Sequence, residues 1–308
     1  MDGATFIRTL RESVGENSAS QYLDARTSYQ WGQEAACEEV RRGRLLRATQ
    51  TITTQAETAS YVLNADFLSL DLRNKNGDPI IKYNDGTTDH WLDFEEYDDL
   101  VYGNQTDSVS VPSKFAIIDK AALYSQITGT ATSAGAQSAG LSILTDTSGL
   151  FTTTDYVSAG DIIHNTTDTS SGVVLSVTDA THLNTALFSN SSGAVASWEA
   201  SDAYVIQPQG RLQIVLDPPP STAGHTITVY YLQRPSPVYH DYGTWRFPSQ
   251  YCDALVEYVA AKYKLADKDI NDWNAFKKEW YGRLGEIAAS ANKTFNRGGI
   301  TMSMRGKK

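Results

Sequence analysis

Five histidines, two cysteines and a compact run of carboxylates are the side chains with which this 308-residue chain could do chemistry. His90, His164, His182, His225 and His240 include no pair at the i, i+4 spacing that sets two imidazoles on one face of a zinc-binding helix. Cys37 and Cys252 form no Cys-x-x-Cys. They read as small, reduced apolar residues on predicted helices, as expected of a protein assembled in a reducing cytoplasm. Gly135-Ala136-Gln137-Ser138-Ala139-Gly140 has one residue too many before its serine for a nucleophile elbow. Around Asn74-Lys75-Asn76-Gly77, Leu72 stands where a calcium loop needs its first ligand and the distal Glu is missing, so a turn is expected. The sequence therefore predicts no catalytic residue, no metal and no cofactor.

Three clusters remain. Asp93, Glu95, Glu96, Asp98 and Asp99 could suggest paired catalytic carboxylates, but no His or Lys lies beside them in sequence, and a solvated acidic face is expected. Tyr239, Tyr242, Trp245 and Phe247 would suit stacking on a sugar, yet residues of this kind equally pin a loop onto a core or form a protein interface. The third cluster is the C-terminal end. From Lys293 to Lys308 there are five bases and no acid, with Gly298, Gly299 and Gly306 between them, which predicts a flexible basic arm able to dock on a negative partner. Ile300, Met302 and Met304 alternate there with Thr301 and Ser303, the pattern of a strand added to another sheet.

Charge divides the chain. Residues 1–128 carry 12 bases and 20 acids, residues 129–210 carry 0 and 7, and residues 211–308 carry 14 and 9, for a total of -10. A body this acidic is a poor general nucleic-acid binder. No apolar stretch approaches the ~20 residues needed to cross a bilayer, and the first fifteen residues lack a signal-peptide core.

The elements that would carry these clusters read as α+β. A helix is expected over residues 17–47, capped by Asn17 or Ser18, with Tyr22, Ala25, Tyr29, Ala36 and Val40 at helical spacing and Arg41, Arg42, Arg44 and Arg47 at its end. Strands follow at 51–54, 67–72 and 80–83, the last two joined by a hairpin turn at Lys75-Asn76-Gly77-Asp78. A short acidic helical segment spans 93–100, then comes a strand at 115–118. Residues 212–216 and 226–232 read as a hairpin around Pro218-Pro219-Pro220. Two C-terminal helices follow. Asp267 or Asp269 caps the second, whose stripe is Trp273, Phe276, Trp280, Leu284 and Ile287. Between 129 and 207 the chain is rich in Gly, Ala, Ser and Thr, with short β runs at 141–144, 161–164, 173–177 and 203–206. That predicts a small β domain inserted between two strands that lie side by side, 115–118 and 212–216. The expected organisation is a core of 1–128 plus 208–292, an insert of 129–207 and an arm of 293–308. In the core, N- and C-terminal helices form a helical bundle on a central antiparallel β domain.

In this frame the chain resembles the head-to-tail adaptor, or connector, proteins of tailed bacteriophages. Three segments carry the resemblance: residues 61–70; residues 210–234 with their Asp217-Pro218-Pro219-Pro220; and Pro248-Ser249-Gln250-Tyr251-Cys252-Asp253-Ala254-Leu255-Val256 opening a helix pair. Residues 160–168 look like the Thr-rich modules of phage structural proteins. The resemblance implies a virion structural protein of the neck, assembled in the host cytoplasm. It implies a homo-oligomeric ring of twelvefold symmetry between the portal protein and a downstream tail component, whether nozzle, tail tube or terminator. Double-stranded DNA would pass through without specific binding, and no membrane is involved. The portal-docking residues would be Lys293, Phe295, Arg297, Ile300, Met302, Met304, Arg305, Lys307 and Lys308. Asp93, Glu95, Glu96, Asp98 and Asp99 are candidates to line the channel. A tail or baseplate module, or a glycan-binding module of a virion, is the alternative.

Overall fold

The computed structural model describes residues 1–15, 24–103, 110–119, 125–135, 137–138, 141–152, 157–209, 211–246 and 251–296. It is mixed α+β and dominated by two β-sheets.

Two N-terminal helices stand where one was expected. The first, α1 (Gly3–Val14), starts where the Asp2 carboxylate accepts the Thr5 N–H at 2.8 Å and ends on Gly15 in the left-handed conformation. Its Phe6, Ile7, Leu10 and Val14 form the buried face. The second, α2 (Ala25–Gly43), is capped by Asp24, whose carboxylate accepts from the backbone of Arg26 and Thr27. The expected cap at Asn17 or Ser18, and Tyr22, lie outside the described residues. Two helices close the chain, α4 (Cys252–Ala266) and α5 (Ile270–Asn296), and a two-turn α3 (Tyr97–Gly103) lies between α2 and α4 in sequence. Asp269 caps α5, as expected: its carboxylate accepts the Asp272 N–H and its carbonyl the Trp273 N–H. Faces of α1, α2 and α4 meet around Trp245, which stands edge-on to Phe6 at 4.9 Å. The α5 stripe buries Trp280, Leu284 and Ile287 against Ala254, each worth about 1.5–3 kcal/mol. Because α5 continues to Asn296, residues 293–296 are helical, four beyond the expected start of the arm.

The first sheet holds β1 (Arg47–Thr53), β2 (Ser60–Val62), β3 (Phe67–Leu70), β4 (Ile80–Asn84), β5 (Asp89–Phe94), β6 (Lys114–Asp119), β15 (Leu212–Asp217) and β16 (Thr226–Gln233). Its order is β1-β16-β4-β5-β6-β15-β2, with β3 also on β16. Every pair is antiparallel except β5 with β6. The sheet curls until its two ends face each other, where the Gln50 carboxamide reaches from β1 to the backbone of Val62 and Asn64. Inside lie Phe67, Ile81, Tyr83, Leu92, Phe115, Ile214, Ile227 and Tyr231.

Of two expected hairpins, one is confined to its turn and the other is absent. Around 74–78 the Ile80 N–H donates to Leu72, the Asn74 N–H to Asp78, and Arg73 bridges Pro79 in antiparallel fashion, but the bodies of β3 and β4 do not pair. Both run along the same edge of β16, at Tyr231–Gln233 and at Thr226–Thr228, and the turn at 74–78 is an excursion between them. The Asn74 carboxamide accepts the Asn76 and Asp78 N–H groups, so it is spent on its own turn. β15 and β16 are also not neighbours, since β6, β5 and β4 stand between them. Their connection crosses the end of the curled sheet, where the Glu57 N–H donates to Pro220 and the Gly224 N–H to Thr54.

The second sheet comprises β7 (Ile127–Thr130), β8 (Gln137–Ser138), β9 (Leu141–Thr145), β10 (Ile162–Asn165), β11 (Ser170–Val177), β12 (His182–Ser189), β13 (Val195–Ala196) and β14 (Ala203–Gln207). The order is β7-β14-β10-β11-β12-β9-β8, with β13 on β12. Leu144, Phe151, Ile163, Val174, Leu183, Leu187, Trp198 and Ile206 form its core. Trp198 satisfies its indole N–H on the Thr185 hydroxyl at 2.9 Å. Gly172 has no room for a side chain: a Cβ there would stand 1.6 Å from the Ala186 carbonyl oxygen. The chain enters from β6 and returns through β15. These are antiparallel partners, Asp119 opposite Leu212 and Phe115 opposite Leu216, the adjacency expected of them.

Candidate assembly surfaces

The acidic run does not form one helix. Asp93 belongs to β5, Glu95 and Glu96 lie in the link, and Asp98 and Asp99 open α3. Asp98 and Asp99 sit in its first turn, where negative charge suits the helix dipole. The run also has an organiser that its neighbours in sequence do not reveal. Lys114, on β6 beside β5, pairs with Glu95 at 2.9 Å. The carboxylate raises the Lys114 pKa by hydrogen bonding. Large apolar side chains are interleaved with the acids: Trp91 is 52% exposed, Tyr97 43% and Val101 47%. Tyr97 and Val101, at i and i+4, share the outer side of α3, while Leu100 is buried against Ala116 and Val215. Exposed apolar surface mixed with charge has the composition of a protein contact.

The base-free stretch is tied to the first sheet by the arginine that ends it. Arg211 donates to the Asp161 carboxylate at 3.1 Å, and both side chains are almost fully buried. The same carboxylate accepts the backbone N–H of Gln209 at 2.7 Å and of Ser158 at 2.9 Å. Burial still pushes the Asp161 pKa up, with these hydrogen bonds and Arg211 opposing it. In sequence Asp161 stands at the start of the β run 161–164 and within the run 160–168, with no sign of this pairing. Against the helices, Val173, Ala186 and Phe188 of the second sheet pack with Tyr239. Beside them a cleft of about 410 Å³ opens between α2, the second sheet and residues 234–239, with Glu34, Cys37, Arg41 and Arg234 among its walls.

The aromatic segment is divided. Trp245 is 1% exposed and gives its indole N–H to Gln33 at 3.1 Å, which removes it from any sugar-stacking face. Tyr239 is half-buried, and desolvation pushes its hydroxyl up to about 12. Tyr242 is exposed, and Phe247 lies outside the described residues. Of the arm, Lys293 and Phe295 have helical backbone in α5, whereas Arg297, Ile300, Met302, Met304, Arg305, Lys307 and Lys308 lie outside the described residues.

Four of the five histidines have side-chain partners: His90 on Asp85 at 3.0 Å, His182 on Asp179 at 2.9 Å, His164 on Ser171 at 2.8 Å and His225 on Tyr83 at 2.6 Å; the buried Nδ1 of His240 has none. Among the described residues no three His, Cys, Asp or Glu side chains group as a metal site, and no helix is long and apolar enough to cross a membrane. A further charged residue escaped the sequence reading. Glu39 of α2 is fully buried, with neither carboxylate oxygen bonded. Desolvation first, then the nearby Glu257, raises its pKa to about 9. Its spacing from Ala35, Ala36 and Gly43, all on the buried face of α2, was the available signal.

A family model described as SU10 adaptor protein matches residues 125–302, which is 178 of the 308 residues. The chain belongs to the SU10 adaptor protein family. It is thus a phage adaptor-type protein, a structural part of the virion. The match begins just before β7 and takes in the second sheet, β15, β16, α4 and α5. The adaptor matches none of the curated proteins with which it was compared.

Proposed function

We propose that this adaptor is the subunit of a homo-oligomeric ring that joins the portal to the next tail component and forms part of the channel through which DNA passes. The observation that carries the reading is the family membership together with the charge of the chain's end. A 27-residue helix that carries Lys293 near its end leads into a segment with four bases and no acid, in a protein of net charge -10. Such a segment is drawn to a negative partner, and self-repulsion disfavours its folding alone. In this reading residues 297–308 dock on the portal. The acids from Asp93 to Asp99 lie at the inner rim, where like charge keeps phosphate from sticking. The exposed Tyr97 and Val101 on the same segment favour a neighbouring subunit beside that rim. Rings would be twelvefold, matching the portal, and the second sheet would stand as a separately folding insert.

The test is a pull-down of the full chain and of a chain ending at Asn296 on purified portal rings. The full chain is expected to bind and form rings by negative stain, and the shortened chain to stay folded and unbound. Retention of the shortened chain on the portal would refute the docking role.

A further inference from the structure

The first sheet stops short of closing, and the register shows which backbone groups are left over. The Gln233 N–H donates to Leu46 and the Thr54 N–H to His225, so even-numbered residues of β1 bond to β16. Thr49, Thr51 and Thr53 consequently turn their N–H and C=O groups to the other edge. On β2, Leu63 donates to Leu212 and Leu216 donates to Ala59, so odd-numbered residues face β15 while Ser60 and Val62 face β1. β1 and β2 are joined by six residues and face each other, yet no ladder forms between them. Gln50 stands in for it. Its carboxamide accepts the Asn64 N–H at 2.9 Å and donates to the Val62 carbonyl at 3.2 Å, the two bonds a peptide unit of an adjoining strand would make.

We propose that the seam between β1 and β2 is a strand-accepting slot, and that its occupant is this chain's own segment 300–304. Two observations select that occupant. The first is pattern. β1 sets Ala48 and Ile52 against the barrel interior and Thr49, Thr51 and Thr53 outward. Ile300, Met302 and Met304 alternating with Thr301 and Ser303 repeat that division. The second is reach. α5 runs alongside α2 in the same direction, Trp280 near the level of Glu34 through Tyr258, and Ile287 against Gly43. The end of α5 therefore leaves on the side where α2 turns into β1, about 14 Å beyond Ile287 at 1.5 Å per residue. Residues 297–299 then add up to about 13 Å of extended chain before Ile300. The segment displaces the Gln50 carboxamide and takes over its bonds. This inference does not rest on portal docking: it describes the free subunit, from whose slot the segment would be withdrawn when residues 297–308 dock.

Amide hydrogen exchange over residues 47–64 tests it, comparing the full chain with one ending at Asn296. Exchange at Thr49, Thr51 and Val62 is expected to be at least ~10-fold slower in the full chain. Adding a synthetic peptide of residues 297–308 to the shortened chain should restore the protection. Met302→Lys should abolish it without touching the folded body, and Gln50→Ala should strengthen it. Equal exchange in the two chains, or protection unchanged by Met302→Lys, would overturn the proposal. Protection that grows with protein concentration would assign the slot to a second copy and overturn the choice of occupant.

Discussion

Because Glu39 has lost its water and gained no hydrogen-bond donor, its carboxyl keeps its proton in the folded chain to about pH 9, against 4.5 when unfolded. Below 4.5 both states are protonated and the group contributes no pH dependence. Between 4.5 and 9 the unfolded chain releases a proton that the folded chain retains, so stability falls as pH rises. Urea melts of the wild type and Glu39→Gln should therefore diverge with pH. The variant should gain up to about 4 kcal/mol relative to wild type between pH 5 and pH 8. Identical pH profiles would mean that Glu39 finds a donor in solution. Asp161 fails differently. Asp161→Ala leaves the buried Arg211 guanidinium without its carboxylate, for a loss of about 3–5 kcal/mol in a thermal or urea melt. Asp161→Ala combined with Arg211→Met should recover much of that loss, and no recovery would deny the pair its role.

At the level of elements, local pattern was a good guide wherever one face of one segment decides the outcome. The stripe on α5 could be read because Trp280, Leu284 and Ile287 need only helical spacing to share a face. The β runs at 141–144 and 203–206 could be read because short β-prone runs set between turn signals mark strands. What stayed hidden was partnership. Nothing near Gly77 says that β3 and β4 will line up along β16, and nothing near Pro219 says that three strands will separate β15 from β16. Lys114 meets Glu95 only because β5 and β6 pair in parallel, across 19 residues of sequence. The channel and docking assignments came from resemblance and charge, since an interface leaves no periodicity to read. Pairing also makes a sharp demand at β11. Gly172→Ala drives a methyl into the Ala186 carbonyl and should cost roughly 1–3 kcal/mol, or more if β12 cannot yield, measured as a fall in melting temperature.

For the molecule as a whole, the charge split now has a structural counterpart. The stretch without bases builds one sheet with its own core, and the first base after it, Arg211, fastens that sheet to the first. Because Asp119 and Leu212 are cross-strand partners, a two-residue Asn-Gly turn should be able to replace residues 120–211 and leave β6 and β15 as a hairpin. The trimmed chain is expected to melt cooperatively with the circular dichroism of the helices and the first sheet. A chain that fails to fold would show that the second sheet is needed by the first.

The same junction decides how the adaptor carries tension. Both leads to the second sheet leave from one end of the β6–β15 pair, so a pull on that sheet opens the ladder as a zipper, one hydrogen bond at a time, instead of shearing all of them together. The Asp161–Arg211 contact sits ahead of the first rung and takes the load before it. Under force the second sheet should come away early and intact at low force, and the β6–β15 ladder should then part rung by rung while the helices hold.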